Sequence, residues 1–311
     1  MIKLAKVMQS SPEINHINSI SQLMRLLELP APSHPLIALV DYHYVPIETF
    51  PKGQKISLDF YKVSFKSAFT GQIKYGQGYY DFEEGGLAFL KPRQLVFPPE
   101  DSASYEGIAL YFHPDFIRNY PLGKTISQYG FFAYDVAEAL FLSASEKEII
   151  AGLFTSIANE LKHHIDHFSQ DVLVSQLELL LNYSNRFYNR QFITRKAVNS
   201  DIITTLDRLL AAYFDEGNSL KNGLPSVKYI SNELKLSQRY LSDMLRSFTG
   251  LNTQQYIQHT VIEKAKEKLS STNLSVSEIA YQLGFEHSQS FSKLFKTRTH
   301  VSPLAFRQSF N

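Results

Sequence analysis

Cysteine is absent from all 311 residues. That absence removes disulfides, thiolate nucleophiles, Cys-ligated zinc and Cys-bound iron–sulfur clusters together. Long apolar runs are absent as well. No stretch approaches a membrane span, and the start, MIKLAKVMQSSPEIN, lacks the unbroken apolar core of a signal peptide. The expectation is therefore a cytoplasmic protein with no membrane partner. A strong overall charge is also missing, at +1 for the chain. The balance is uneven along its length, however. Residues 1–200 hold 18 Lys plus Arg against 20 Asp plus Glu, whereas 201–311 hold 13 against 10. From Lys221 onward there are 12 basic and 6 acidic side chains. Such a segment suits a phosphate backbone, although a solvated basic surface would look the same.

What is present is ordinary globular material, with 44% hydrophobic and 20% charged residues. The length suits two domains, or two and a helical connector. From about Leu36 to Phe112 apolar residues alternate, as in Ile56, Leu58 and Phe60 or Ile108, Leu110 and Phe112, and Gly or Pro punctuates at short intervals. That pattern predicts short strands in a small β-barrel or sandwich. After Pro121 glycine becomes sparser and helical spacing takes over. A helix is predicted to start at Ser145. A second carries Leu173, Leu177, Leu180, Leu181, Ser184 and Phe187 in a heptad-like stripe. The stripe needs a cover, which is either the β domain or a second copy of the chain.

The C-terminal part contains a repeat. Val227, Ile230, Leu234 and Leu236 return 49 residues later as Val276, Ile279, Leu283 and Phe285; Leu241, Met244 and Leu245 return 50 residues later as Phe291, Leu294 and Phe295. Each copy reads as two short amphipathic helices joined by a turn too brief to separate them, so they cross and share a small core. Ser231 and Ala280 are the small residues at the crossing. Ser275 with Glu278 forms a capping box, and Gly284 suits a left-handed helix end. Lys235 stands where the second copy has Gly284, and a side chain there costs roughly 1 kcal/mol, so the first turn is expected to differ. Between the copies, Asn252 with Gln255 starts one helix striped by Ile257, Val261, Ala265 and Leu269. At 1.5 Å per residue it spans roughly 26 Å. Two readers on such a rod can reach successive major grooves, about 34 Å apart on one face of B-DNA.

With the run of Ile279, Ala280, Leu283, Gly284, Phe285, Phe291, Phe295, Pro303 and Arg307, residues 201–311 resemble the AraC/XylS family of bacterial regulators. The β region resembles that family's cupin-type effector domain in outline. The resemblance implies an α+β chain: a cupin-like sensor domain at 1–120, a helical linker and dimerisation region at 121–200, and an all-α DNA-binding domain with two helix-turn-helix units at 201–311. It also implies that residues 237–248 and 288–298 enter the grooves. Base-facing positions are then Arg239, Ser242 and Asp243 in the first unit and Ser288, Gln289, Ser290, Ser292 and Lys293 in the second. Arg239 and Lys293 can donate to guanine and Gln289 can pair with adenine. Asp243 either accepts from cytosine or, four residues after Arg239, aims the guanidinium. Arg246, Lys296 and Arg298 are candidates for phosphate contacts, as are the helix starts at Ser226 and Ser275.

For an effector, the aromatic-rich β region offers Tyr42, His43, Phe60 and Tyr80 as pocket candidates, with Tyr44, Phe65 and Tyr79 beside them. No metal site is expected, because His34, His43 and His113 are scattered and His163, His164 and His167 lie in a polar helical stretch. Gly123, Lys124 and Thr125 echo a phosphate-binding loop, but the required earlier glycine is Arg118. No cofactor and no enzymatic activity are expected. The expected partners are double-stranded promoter DNA, a small-molecule effector, RNA polymerase and a second copy of the chain. The alternatives are a constitutive DNA-binding regulator without effector and a cupin-type enzyme fused to a DNA-binding tail.

Overall fold

The computed structural model describes residues 14–45, 55–66, 72–75, 78–81, 85–96, 107–135, 138–163 and 166–310. They form two compact units, Met1–Tyr188 and Asn189–Asn311.

The first unit is built on strands β1 (Ile14–Ile17), β2 (Ile37–Asp41), β3 (Lys55–Leu58), β4 (Tyr61–Lys66), β5 (Gln72–Tyr75), β6 (Gly78–Asp81), β7 (Gly86–Leu90), β8 (Leu95–Val96), β9 (Ile108–Phe112) and β10 (Leu140–Phe141). They make a five-stranded sheet in the order β10-β7-β4-β9-β2, a three-stranded sheet β1-β3-β8 and the hairpin β5-β6. Only β1 and β3 pair in parallel among these described strands. The helices of this unit are α1 (Ile20–Leu26), α2 (Pro114–Ile117), α3 (Pro121–Thr125), α4 (Ala144–Lys162) and the first part of α5 (Ser169–Thr194).

Strand alternation gives the five-stranded sheet two different faces. One carries Val63, Phe65, Leu87, Phe89, Leu110, Phe112 and Leu140, all buried. Phe65 meets Phe154 of α4 at 5.7 Å between ring centroids, and Phe89 meets Phe131 at 4.3 Å. The opposite face contributes Ala38, Val40, Ala109 and Tyr111 to a second core with α1 and with Ile56, Leu58 and Phe60. A sheet-rich unit followed by helices is the expected mixed α and β architecture.

Three local features follow from this packing. The helix predicted to start at Ser145 begins at Ala144, because the box is made by Ser143 and Glu146, each capping the other's backbone N–H. The α5 stripe is not open to a second copy: Leu173, Leu177, Leu180, Leu181, Ser184 and Phe187 are all at most 5% exposed. Its helix is bound to its own unit instead, through Gln176 to Ser156, Tyr129 to Asn182 and the Tyr188 hydroxyl to the Glu138 carbonyl. Gly123 lies within α3, where a Cβ would stand 2.4 Å from the Ile117 carbonyl oxygen, so close packing explains that glycine.

The second unit holds α6 (Lys196–Asp215), α7 (Asn218–Asn222), α8 (Val227–Leu234), α9 (Gln238–Thr249), α10 (Thr253–Ser271), α11 (Val276–Gln282), α12 (Ser288–Thr299) and α13 (Pro303–Gln308). Helix α10 starts at the Asn252–Gln255 box and buries Ile257, Val261, Ala265 and Leu269. Its 19 residues span roughly 28 Å. Helix α6 braces it through Tyr256 Oη, which donates to Asp207 at 2.7 Å, and through the Lys264–Asp215 ion pair at 2.7 Å. Arg307 of α13 donates to the Leu269 carbonyl at its C-terminal end, where a cation suits the helix dipole. Among the described residues no helix is long and apolar enough to cross a membrane, and no cluster of three His, Asp or Glu is placed to hold a metal.

Candidate nucleic-acid interface

Each helix-turn-helix unit is made by its caps and its apolar stripe. In the first, the Ser226 side chain accepts from Tyr229 N and starts α8; the Ser237 side chain accepts from Tyr240 N and starts α9. Ile230, Leu241, Met244 and Leu245 are fully buried between them. In the second, the Ser275–Glu278 box starts α11. The Ser275 hydroxyl and backbone bonds hold the Glu278 carboxyl below the usual carboxylate range. Ile279, Ala280, Leu283, Phe291 and Phe295 are fully buried. Phe291 sits 5.4 Å from Phe285 and 5.7 Å from Phe295, between ring centroids.

The turns match, contrary to the expected difference. Leu236 N donates to Ser231 O at 2.9 Å and Lys235 N to Asn232 O at 3.1 Å; Phe285 N donates to Ala280 O and Gly284 N to Tyr281 O, each at 3.0 Å. Both are Schellman closures around a left-handed residue. Lys235 adopts φ 55° despite its side chain, and Gly284 has φ 90°. What demands glycine in the second copy is space: a Cβ at Gly284 would lie 2.6 Å from the Gly223 carbonyl carbon. Lys235 takes on the backbone strain because the hydrogen bonds and the crossing at Ser231 fix the turn.

The two exposed reading faces differ in charge arrangement. On α9, Asp243 accepts from Arg239 Nε at 2.8 Å and from an Arg246 terminal nitrogen at 3.1 Å. Arg239 and Arg246 are exposed, whereas Ser242 and Asp243 are half-buried. On α12, Gln289, Ser290, Lys293 and Lys296 are exposed, and Ser288 and Ser292 are half-buried. Among the described residues no ion pair holds Lys293 or Lys296. Arg298 donates to Gln258 of α10 at 2.6 Å, so this cation ties reader to rod. Ser226 and Ser275 are exposed at their helix starts.

Residues 230–309 match a family model described as a helix-turn-helix domain. The HTH-type transcriptional activator RhaR of Cronobacter sakazakii is 35% identical over 106 residues, covering 34% of this chain and 36% of RhaR. The chain thus spans about a third of that relative's length. The solved C-terminal domain of the two-component response regulator yesN of Fusobacterium nucleatum aligns over 32% of this chain and 96% of its own, at 32% identity and a TM-score of 0.28. A transcriptional regulator with an AraC-type DNA-binding domain from Chromobacterium violaceum aligns over 37% of this chain and 96% of its own, at 19% identity and a TM-score of 0.31. Residues 230–309 thus carry a helix-turn-helix domain similar to that of HTH-type transcriptional regulators.

Outside this helix-turn-helix domain, the aromatic candidates for a pocket that lie among the described residues have different surroundings. Phe60 is fully buried in the core against Tyr111, at 5.8 Å between ring centroids. His43 is exposed and contacts Tyr44, itself 71% exposed. Phe65 packs on α4 at the helical face of the sheet. The side chains of Tyr79 and Tyr80, like all of His164, lie outside the described residues. Tyr42 reaches polar company: it hydrogen-bonds Tyr111 Oη and accepts from Lys62 Nζ at 2.8 Å. Sequence reasoning passed over Lys62. Its signal was the segment YKVSFK, where Lys62 and Lys66 alternate with Val63 and Phe65.

Proposed function

We propose that this chain is a sequence-specific DNA-binding transcriptional regulator of the AraC type. Residues 237–248 and 288–298 read two successive major grooves, while the sheet-rich unit, taken as cupin-like, senses a small molecule. Base reading is assigned to Arg239 and Ser242, and to Ser288, Gln289, Ser290, Ser292 and Lys293. Asp243 orients Arg239. Phosphates are held by Arg246 and Lys296 and by the helix starts at Ser226 and Ser275, with Arg298 adding charge beside α10.

The observation that carries the reading is the same Schellman-closed helix-turn-helix made twice, each with an exposed polar second helix and both joined through α10. A helix of roughly 28 Å is close to the repeat of the major groove, about 34 Å. In vitro selection of bound duplexes from a random pool tests it. The expected product is one motif of two blocks about 10 base pairs apart, bound with steep salt dependence. Retention of random DNA without enrichment of any motif would overturn it.

A further inference from the structure

The two helix-turn-helix units meet away from α10 as well as on it. Helix α7 leads into the first unit through Gly223 and Leu224, and it lies against the end of α11 in the second. The Ser219 hydroxyl, in a residue only 1% exposed, donates to the Gln282 carbonyl at 2.6 Å. Two residues beyond Gln282, backbone touches backbone: a Cβ on Gly284 would lie 2.6 Å from the Gly223 carbonyl carbon and 2.9 Å from Leu224 N. The turn that sets α12 on α11 is therefore pressed against the residues that lead into α8.

Each half of this contact is anchored to the rest of the domain. On one half, the buried Tyr213 of α6 donates to the Gly223 carbonyl at 3.0 Å, and α6 is itself tied to α10 by the Tyr256–Asp207 bond and the Lys264–Asp215 pair. On the other, the Gln282 side chain accepts from Lys268 of α10 at 3.0 Å. This one residue thus meets α7 through its carbonyl and α10 through its amide. The contacts close a ring that runs from α10 through α6, α7 and α11 back to α10. A helical unit fixed to a single rod keeps freedom to roll about that rod, whereas a second attachment off the axis removes it. Recognition surfaces held to within about 0.5 Å need such support behind them.

We propose that Ser219 and Gln282 are positioning residues that act from behind the readers α9 and α12 and fix the distance and angle between them. They thereby make the protein selective for the spacing of the two blocks in its binding site. The inference rests on reading α9 and α12 as the DNA-contacting helices, and it adds where spacing selectivity resides. A step of one base pair moves the second block by about 3.4 Å along the duplex and about 34° around it, more than a closed ring can follow.

The test measures binding of the full chain to its selected duplex, to the same duplex with the two blocks one base pair closer or farther apart, and to each block alone in random flanks. The wild-type chain should lose about tenfold or more on either shifted duplex, comparable with a mismatched base pair. Ser219→Ala removes the bond to α11, and Gln282→Met keeps the carbonyl but cuts the tie to Lys268. Each should narrow the loss to about threefold or less, while binding to single blocks stays within about twofold of wild type. Thr205→Ala, at an exposed hydroxyl that bonds to the Asp201 carbonyl of its own helix, should keep the wild-type penalty. A purely structural role would lower affinity for every duplex in parallel and leave the ratio between spacings unchanged. That result overturns the proposal, and so does a wild-type chain that tolerates both shifts. The wild-type comparison needs no variant and the two substitutions break different bonds, so the proposal stays decidable if one substituted chain fails to fold. Selection that yields no two-block motif would strike the regulator reading and this inference with it. Strict spacing in wild type and in both variants strikes the inference alone.

Discussion

The two helix-turn-helix units share a backbone and divide their glycines in opposite order. Each unit has two left-handed helix ends. The first uses Lys235 and Gly250, the second Gly284 and His300, with φ between 55° and 90° at all four. Glycine is therefore not required by the turn itself, since a cooperative hydrogen-bond closure can hold a lysine or histidine there at a cost of roughly 1–2 kcal/mol. It is required where backbone crowds backbone. A Cβ at Gly250 would meet nothing within 4 Å, whereas one at Gly284 would collide with Gly223 and Leu224. The reading faces diverge similarly. The first holds its two arginines on one carboxylate, and the second offers neutral donors and lysines without a described carboxylate partner.

The largest test of that comparison sets Gly284→Ala beside Gly250→Ala. Both place a side chain at positive φ, but only the first adds a backbone collision. Gly284→Ala should cost about 2–4 kcal/mol, combining left-handed strain with overpacking, and Gly250→Ala about 1 kcal/mol. Urea denaturation of the two variants measures this. Equal losses would mean that the contact with Gly223 relaxes freely and that crowding does not explain the glycine.

The next effect separates the reading faces. Gln289→Ala should lose about 1–3 kcal/mol on the selected sequence, relax choice at one base pair and leave the salt slope unchanged. Arg246→Ala should weaken all sequences alike and lower the slope of log K against log salt by about one. Binding isotherms on selected and random duplexes at several salt concentrations resolve the pair. Asp243→Asn is smaller. It removes a negative charge near the DNA and frees Arg239 and Arg246, while exposed pairs of this kind contribute about 0–1 kcal/mol. Binding to random DNA should rise by less than tenfold and discrimination at the Arg239 position should fall. Unchanged discrimination would show that Asp243 does not aim the arginine.

These contrasts also show which features were legible in the sequence. The boxes at Asn252–Gln255 and Ser275–Glu278 were readable because capping is local, linking residues three apart whatever surrounds them. The repeated apolar positions were readable because a two-helix core admits few arrangements. The α5 stripe was ambiguous, since a periodic pattern states that a face is covered and not by what; its own unit covers it. The N-terminal site residues were the least legible. Aromatic content drew attention to Phe60 and His43, of which one is core and the other exposed, because composition carries no direction. Period-two alternation does carry direction, and in YKVSFK it sets the lysines on the face opposite Val63 and Phe65, but only the pairing of β4 with β7 and β9 shows which residues share that face.

The smallest effect is the most direct check on why the first unit tolerates a lysine in its turn. Lys235→Gly removes left-handed strain of roughly 1–2 kcal/mol but gives the unfolded chain more freedom, which offsets about 0.5–1 kcal/mol. The Lys235 side chain is exposed, so little packing is lost. A net gain of about 0.5–1 kcal/mol should follow, seen as a rise of a few degrees in Tm, with the selected DNA motif unchanged. If the substitution instead lowers stability, Lys235 must hold the turn through its side chain. The two units would then differ in the mechanism of the turn as well as in its crowding.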